Sequence, residues 1–245
     1  MSAPADGVFR RRDGARTYGY EVGVVCLDFD SPFIPGDVGH AATFGAPTLY
    51  RRVPRLSVPA ILADAGREFE GAVVEAAGAL AGEGTGIVTS NCGFMIRYQA
   101  AVARALPGSQ VLLSSLLQLP LIAAMLGDTV PIGIVTADSR TLTEGFLREE
   151  FPGLPSPLLV AGLEEAPSFH YTMFGPGDAL DRPAVAEEVV TASAGLHRVG
   201  AGAILFECAA LPAYAAETQR RTGLPVYDFT TMVGLAMNAA HRRPF

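Results

Sequence analysis

Two short stretches decide the fold of this chain: residues 88–92 read Val-Thr-Ser-Asn-Cys, and residues 204–208 read Ile-Leu-Phe-Glu-Cys. Each is an apolar run that ends in a polar residue and a cysteine, a pattern typical of a buried strand that leads into a loop. The two cysteines are 116 positions apart (208 − 92). This pairing indicates that the chain contains an internal repeat.

The flanking segments recur in the same order. Residues 23–28 resemble residues 133–138, and residues 111–114 match residues 226–229, at offsets of 110 and 115 positions. Because three segments recur at nearly one offset, a duplicated half is favoured over chance similarity among strands.

Strand-like and helix-like segments alternate along the chain, which predicts an α/β fold with mostly parallel sheets. The strand-like runs are 22–27, 86–89, 111–113, 132–136, 158–161, 203–206 and 226–227. The clearest helix-like segments are 67–80, 95–105, 184–198 and 214–222. We divide the chain into an N-terminal tail (1–21), a first α/β half (22–130), a second α/β half (131–225), and a last strand and C-terminal helix (226–245) that pack back on the first half.

The composition narrows the class of protein. Apolar residues make up 49% of the 245 and charged residues 18%, so we expect a sizeable core. A net charge of −7 argues against nucleic acid or an anionic membrane as a partner, and the basic run at 10–12 is interpreted as part of a solvated tail. No apolar stretch is long enough to cross a bilayer. An odd number of cysteines, three, and no visible targeting segment fit a reducing cytoplasm.

Cys92 and Cys208 are the candidate catalytic residues. Each follows a strand and precedes a helix, and in open α/β sheets ligands bind beyond the carboxyl ends of the strands. The free N–H groups at the start of a helix favour a thiolate, so we expect a lowered thiol pKa at both positions. Cys26 lies within a strand and is interpreted as a core residue.

On two equivalent halves, these thiols would face each other across one substrate. A thiolate on one face would remove a proton from a carbon next to a carboxylate, and a thiol on the other face would return one with inverted configuration. Backbone N–H groups near Gly93, Phe94, Ala209 and Ala210 would hold the developing enolate oxygens. The sequence thus predicts a racemase or epimerase of a small carboxylate-bearing substrate, an amino acid or a derivative of one.

The chain resembles the aspartate/glutamate racemase superfamily, which also includes hydantoin racemases, maleate cis-trans isomerases and arylmalonate decarboxylases. Residues 89–94 (Thr-Ser-Asn-Cys-Gly-Phe) look like the first cysteine motif of that group, and residues 208–212 (Cys-Ala-Ala-Leu-Pro) look like the second. The similarity runs from residue 22 to about residue 240. It implies two pseudo-symmetric flavodoxin-like halves, with the active site in the cleft between them.

The chain also departs from the family pattern. The amino-acid racemases usually carry Asn-Thr after the first cysteine and Thr after the second, side chains that help to bind an α-amino acid. This chain has Gly93-Phe94 and Ala209 there. Thr89, Ser90 and Phe94 are similar to the decarboxylase and maleate isomerase branch, although the decarboxylases keep only the second cysteine. A maleate-isomerase-like or arylmalonate-decarboxylase-like enzyme is therefore the alternative.

Polar residues near other strand ends are weaker candidates. Asn91 and Glu207 directly precede the cysteines, so we expect Asn91 to be a hydrogen-bond partner and Glu207 to tune Cys208. Further candidates for substrate binding or for capping are Asp28, Ser114, Thr136 and Ser139. The long loop at 32–47, which contains Asp37 and His40, is interpreted as a structured lid without chemistry.

Two other classes of function are compatible with the sequence. A non-catalytic binding protein for small acids would not need its cysteines, and a cysteine hydrolase is less favoured because no histidine lies in an activating motif. No histidine has metal-ligand spacing and no phosphate-binding loop is present, so we expect no metal and no cofactor. The expected partners are a small-molecule carboxylate substrate and further copies of this chain in a homo-oligomer.

Overall fold

The computed structural model describes residues 7–8, 11, 15–63 and 67–242. The predicted tail at 1–21, with its basic run at 10–12, lies largely outside the described residues. Within the described part, parallel strands form two four-stranded sheets with helices packed around them. The α/β fold class predicted from the sequence is confirmed.

The two sheets have the same strand order, β2-β1-β3-β4 in the first and β6-β5-β7-β8 in the second. Their strands are β1 (Val22–Cys26), β2 (Thr48–Arg52), β3 (Ile87–Ser90), β4 (Gln110–Leu112), β5 (Ile132–Thr136), β6 (Leu158–Gly162), β7 (Ala203–Phe206) and β8 (Val226–Tyr227). In the first sheet Val22 lies beside Ile87, and in the second Ile132 lies beside Ala203, so the registers correspond as well. The repeat in the sequence is therefore a repeat of topology.

Helices connect the strands and cover the sheets. They are α1 (Val58–Ala63), α2 (Glu70–Gly82), α3 (Gln99–Ala105), α4 (Leu119–Leu126), α5 (Glu144–Glu150), α6 (Pro167–Met173), α7 (Arg182–Arg198), α8 (Ala215–Thr222) and α9 (Phe229–Ala240). Short 3-10 helices lie at Gly93–Tyr98, Ser115–Gln118 and Leu211–Tyr214. None of the helices in the described part combines the length and the apolar character needed to cross a membrane.

Strand β2 is absent from the sequence prediction, for a physical reason. It is the edge strand of the first sheet, its sequence Thr-Leu-Tyr-Arg-Arg is not an apolar run, and its residues are half-buried or exposed. The predicted strands β1, β3, β5 and β7 are central strands with few or no exposed residues, and central strands of parallel sheets carry continuous apolar sequence.

The C-terminal segment joins the two halves. Strand β8 pairs with β7 and so completes the second sheet, while α9 packs against the first half through Phe229, Met232 and Val233. Two buried hydrogen-bonded links also cross between the halves. The Ser115 hydroxyl donates to the carbonyl of Phe206 (2.7 Å). The Gln118 amide donates to the carbonyl of Asp228, the residue that caps α9 (2.9 Å).

Candidate active site

Cys92 and Cys208 lie at equivalent places in the two halves. Cys92 follows β3 and is the N-cap of the 3-10 helix Gly93–Tyr98, and Cys208 follows β7 just before Leu211–Tyr214. Both cysteines line one cleft between the carboxyl ends of the two sheets. The structure therefore brings the two candidate thiols together.

The cleft is small and mostly apolar. It encloses about 550 Å³ of empty space, its mouth included. Its walls include four phenylalanines and no lysine, arginine or histidine among the described residues. The lining consists of Leu27, Phe29, Phe33, Asp37, Val58, Ile61, Leu62, Asn91, Cys92, Gly93, Phe94, Ala137, Met173, Phe174, Glu207, Cys208, Ala209 and Ala210.

The thiols do not have the lowered pKa that their position before a helix predicted; that expectation is wrong. Burial, together with the charge of Glu207, raises the pKa of Cys92 to about 12, against the backbone N–H groups of Phe94 and Met95, which lower it. Burial and the same carboxylate raise the pKa of Cys208 well above its usual value, and only the N–H of Ala210 lowers it. The helix effect is present at both cysteines, but desolvation outweighs it.

The two residues that precede the cysteines hold equivalent backbone positions. The N–H of Asn91 donates to the carbonyl of Val25 (3.1 Å), and the N–H of Glu207 donates to that of Val135 (2.9 Å). The Asn91 side chain accepts the N–H of Leu27 (2.9 Å), so it fixes the loop that follows β1.

Glu207 is a fully buried acid at the centre of the site. One carboxyl oxygen, Oε2, accepts the hydroxyl proton of Thr136 (2.8 Å). The other, Oε1, has no hydrogen-bond partner and lies against Gly93, where a Cβ atom would overlap it. Burial raises the pKa of Glu207 to about 7, although Thr136 and the N–H of Ala137 lower it. Glu207 is thus adjacent to Cys208 in the chain and to the Cys92 loop in space.

Asp37 is a second buried acid of the cleft, and sequence reasoning had placed it in a lid without chemistry. One of its oxygens accepts the N–H of Gly39 (2.7 Å), and burial raises the pKa of Asp37 to about 7. The lid is tied to the cysteine loop of the other half, because the N–H of Val38 donates to the carbonyl of Ala209 (3.0 Å). His40 is not part of the lining; its ring accepts the N–H of Ala42.

Four predicted substrate-binding residues do not line the cleft. Asp28 pairs with Arg52 (3.2 Å) and accepts the N–H of Arg55. Ser114 caps the 3-10 helix Ser115–Gln118, and Ser139 binds Glu164 through its hydroxyl and its N–H. Thr136 contacts Glu207, so it reaches the site only through that carboxyl.

Apart from Phe94, the aromatic part of the lining was missed by sequence reasoning. Phe29 and Phe33 follow β1 and their rings meet edge to face, with centroids 6.3 Å apart. Met173 and Phe174 come from the end of α6, far away in the chain. Nothing in the local sequence marks these residues, because apolar side chains in a loop look the same whether they face a core or a ligand. A cleft lined by these phenylalanines and the Asp37 carboxylate is suited to binding a small organic cation.

Several proteins are similar in sequence to this chain over most of its length. No family model matches the chain. Dimethylsulfoniopropionate lyase 3 of Emiliania huxleyi is 31% identical over 224 residues, which cover 86% of this chain and 57% of that protein. The dimethylsulfoniopropionate lyase of Durusdinium sp. clade D is 31% identical over 222 residues, which cover 84% of this chain and 70% of that protein.

The chain belongs to the dimethylsulfoniopropionate lyase family. It spans 57% of the length of E. huxleyi lyase 3, and between 46% and 64% of the length of the E. huxleyi relatives named lyases 3, 5, 6 and 7.

Solved structures with the same fold come from the aspartate/glutamate racemase superfamily, as the sequence motifs indicated. A glutamate racemase from Bacillus anthracis superposes with a TM-score of 0.58 at 12% identity, over 90% of this chain and 82% of that one. An aspartate racemase from Picrophilus torridus gives 0.55 at 12% identity, over 90% and 94%. Unliganded arylmalonate decarboxylase gives 0.54 at 15% identity, over 91% and 94%. These solved structures share the fold of the chain at low sequence identity. They do not establish the isomerase type predicted from the sequence, since the relatives in sequence are named lyases.

Proposed function

We propose that this protein is a lyase that removes a proton from the carbon next to a carboxylate and expels a neutral sulfide from the neighbouring carbon, with dimethylsulfoniopropionate as substrate. The observation that carries the proposal is the lining of the cleft: two thiols, a ring of phenylalanines with one aspartate, and no basic side chain among the described residues. Family membership with enzymes named for this substrate supports it.

The cleft suits both ends of this substrate. We place its positive sulfonium centre beside Phe29, Phe33, Phe174 and Asp37, which all line the cleft, since aromatic rings and a buried anion both attract an organic cation. The carboxylate of the substrate is proposed to accept hydrogen bonds from the backbone N–H groups that follow the two cysteines. A neutral zwitterion of this kind needs no lysine or arginine for binding.

Cys92 is the better base of the two thiols. It is half-buried rather than buried, it receives two backbone N–H groups, and the guanidinium of Arg97 lowers its pKa further. Cys208 receives one N–H and lies near the charges of Glu207 and Asp37. We therefore assign proton removal to Cys92 and leave Cys208 as a thiol.

The elimination balances with these groups alone. The Cys92 thiolate takes the proton from the carbon next to the carboxylate, and the electron pair of that C–H bond forms the new C=C bond. The bond from the neighbouring carbon to sulfur breaks, and its electron pair leaves with sulfur as dimethyl sulfide, so that acrylate remains. In the resting site Cys92 is a thiol, since its pKa is about 12. It loses its proton to solvent when the positive sulfonium binds nearby, and the proton taken from the substrate restores the resting thiol.

The direct test is release of dimethyl sulfide. Purified protein and dimethylsulfoniopropionate in a sealed vial should give dimethyl sulfide by headspace gas chromatography and acrylate by chromatography in equal amounts. The matched control is Cys92→Ser, and 3-(methylthio)propionate, which lacks the positive charge, should not be cleaved. If the wild-type protein releases no more dimethyl sulfide than Cys92→Ser, the proposal fails.

Racemisation or epimerisation is the second candidate, because Cys92 and Cys208 line one cleft from opposite halves. A two-thiol reaction needs this placement, whereas elimination needs one base. Chiral 2-substituted carboxylates incubated in deuterated water separate the two functions. Exchange of the α-hydrogen with inversion, and no sulfide release, favours the racemase.

A further inference from the structure

The second oxygen of Glu207 is the strongest unexplained feature of the cleft. Glu207 is 1% exposed, lines the cleft, and leaves Oε1 without any hydrogen-bond partner. A buried polar atom of this kind costs free energy unless a ligand or water satisfies it. Gly93 leaves room for this carboxyl, because a side chain at that position would overlap Oε1.

The surroundings of Glu207 decide its charge state when substrate binds. The groups that face it are Thr136, the N–H of Ala137, Asp138 and the two cysteines. Among the described residues, the lining of the cleft includes no basic side chain. A substrate carboxylate near the cysteine loops would meet an ionised Glu207 as a second anion. Two carboxyl groups at such a place share one proton.

We propose that Glu207 is a substrate-binding acid: it enters the reaction neutral and donates its proton in a hydrogen bond from Oε1 to the carboxylate of the substrate. As the carbon next to that carboxylate loses its proton, negative charge moves onto the carboxylate oxygens and this hydrogen bond strengthens. The inference rests on the proposed function in requiring a carboxylate ligand, and it does not depend on which bond breaks afterwards.

The raised pKa of Glu207, about 7, agrees with this role, since near neutral pH the proton is available without a large cost. It also gives the sign of the pH dependence. Above pH 7 free Glu207 is ionised, so binding of a carboxylate must bring a proton with it and weakens as the pH rises. The thiols do not contribute to this change, because the pKa of Cys92 is about 12 and that of Cys208 lies well above its usual value.

The test uses propionate as a probe, so it does not require turnover. Calorimetric titrations at pH 8 in buffers of different ionisation enthalpy should show about one proton taken up per propionate bound by the wild-type protein. Glu207→Gln, which keeps a donor but cannot ionise, should take up none, and its affinity should be the same at pH 6 and pH 8. Glu217→Gln, which removes a carboxylate outside the cleft lining, is the matched control and should retain the proton uptake of the wild type. Uptake that persists in Glu207→Gln and is lost in Asp37→Asn would assign the proton to Asp37, whose pKa is also about 7, and would overturn the inference.

Two more variants separate this role from a structural one. Thr136→Val removes the hydroxyl that stabilises the ionised form of Glu207, so the pH at which propionate binding weakens should move upward. Glu207→Leu should lower the rate of sulfide release at least ~10²-fold, and Glu207→Gln should recover most of that loss. Propionate binding that is independent of pH and of proton uptake in the wild type overturns the inference. Failure of the proposed function shows separately, as absent sulfide release with normal proton-linked binding.

Discussion

The two halves share a strand order but use the loop after their first strand differently. In the first half this loop is long, and it brings Phe29, Phe33 and Asp37 to the cleft. In the second half the loop after β5 is short and is held by internal hydrogen bonds. The Asp138 carboxylate accepts hydrogen bonds from the side chains of Arg140 and Thr141. The repeated topology thus places two cysteines equivalently, and the difference between the loops provides the asymmetry that the proposed zwitterionic substrate requires.

The largest change in the rate of sulfide release is expected when each cysteine is replaced in turn. Cys92→Ser should lower the rate of sulfide release at least ~10²-fold, because a hydroxyl is a far weaker base than a thiolate. Cys208→Ser should cost about tenfold or less if that thiol stays protonated during elimination. The measurement is the initial rate from headspace gas chromatography, with Cys26→Ser as the thiol control outside the cleft lining.

Equal and complete loss in both cleft variants would contradict the assignment of Cys92 as the only base. It would indicate that elimination of the sulfide needs both thiols rather than Cys92 alone.

A second comparison is between Asp37 in the loop after β1 and Asp138 in the loop after β5. Asp37→Asn should raise KM for dimethylsulfoniopropionate at least about tenfold and leave kcat within a few-fold, because it removes the buried counter-charge of the sulfonium. Asp138→Asn should change KM much less than Asp37→Asn and should lower the melting temperature, since Asp138 lies outside the cleft lining and organises its own loop. Unchanged KM in Asp37→Asn would place the cation elsewhere.

The smallest expected effects concern the residues that follow the cysteines. Gly93→Ala should lower the free energy of unfolding by about 1–3 kcal/mol, because the new methyl group overlaps the Glu207 carboxyl. Ala209→Gly, the equivalent position of the second half, should cost at most about 1 kcal/mol through the freedom of the unfolded chain. Urea titrations of both variants measure the difference, and equal costs would show that the close approach at Gly93 is unimportant.

The sequence alone predicts the central part of this structure well. The buried strands, the repeat and the residues at the two cysteine loops follow from local patterns, since a central parallel strand must be apolar and the loop after it must lie at the same edge of the sheet. Strand β2 was missed because an edge strand needs no apolar run.

The remainder of the site depends on contacts that no local pattern records. Phe29 and Glu207 line one cleft only because the two halves pack together. Asp28 and Ser139 looked like ligands of a substrate and instead bind Arg52 and Glu164, which are distant in sequence. The lowered thiol pKa was expected from helix position, and burial reverses it.

The links between the halves have a consequence for how the molecule unfolds. Separation of the halves exposes the apolar face of α9 and leaves the bonds from Ser115 and Gln118 without their acceptors. Each half therefore lacks a complete core when it stands alone, because the last helix of the chain covers the first sheet. We therefore expect the two halves, which share one strand order, to unfold as a single cooperative unit, with one thermal transition rather than two.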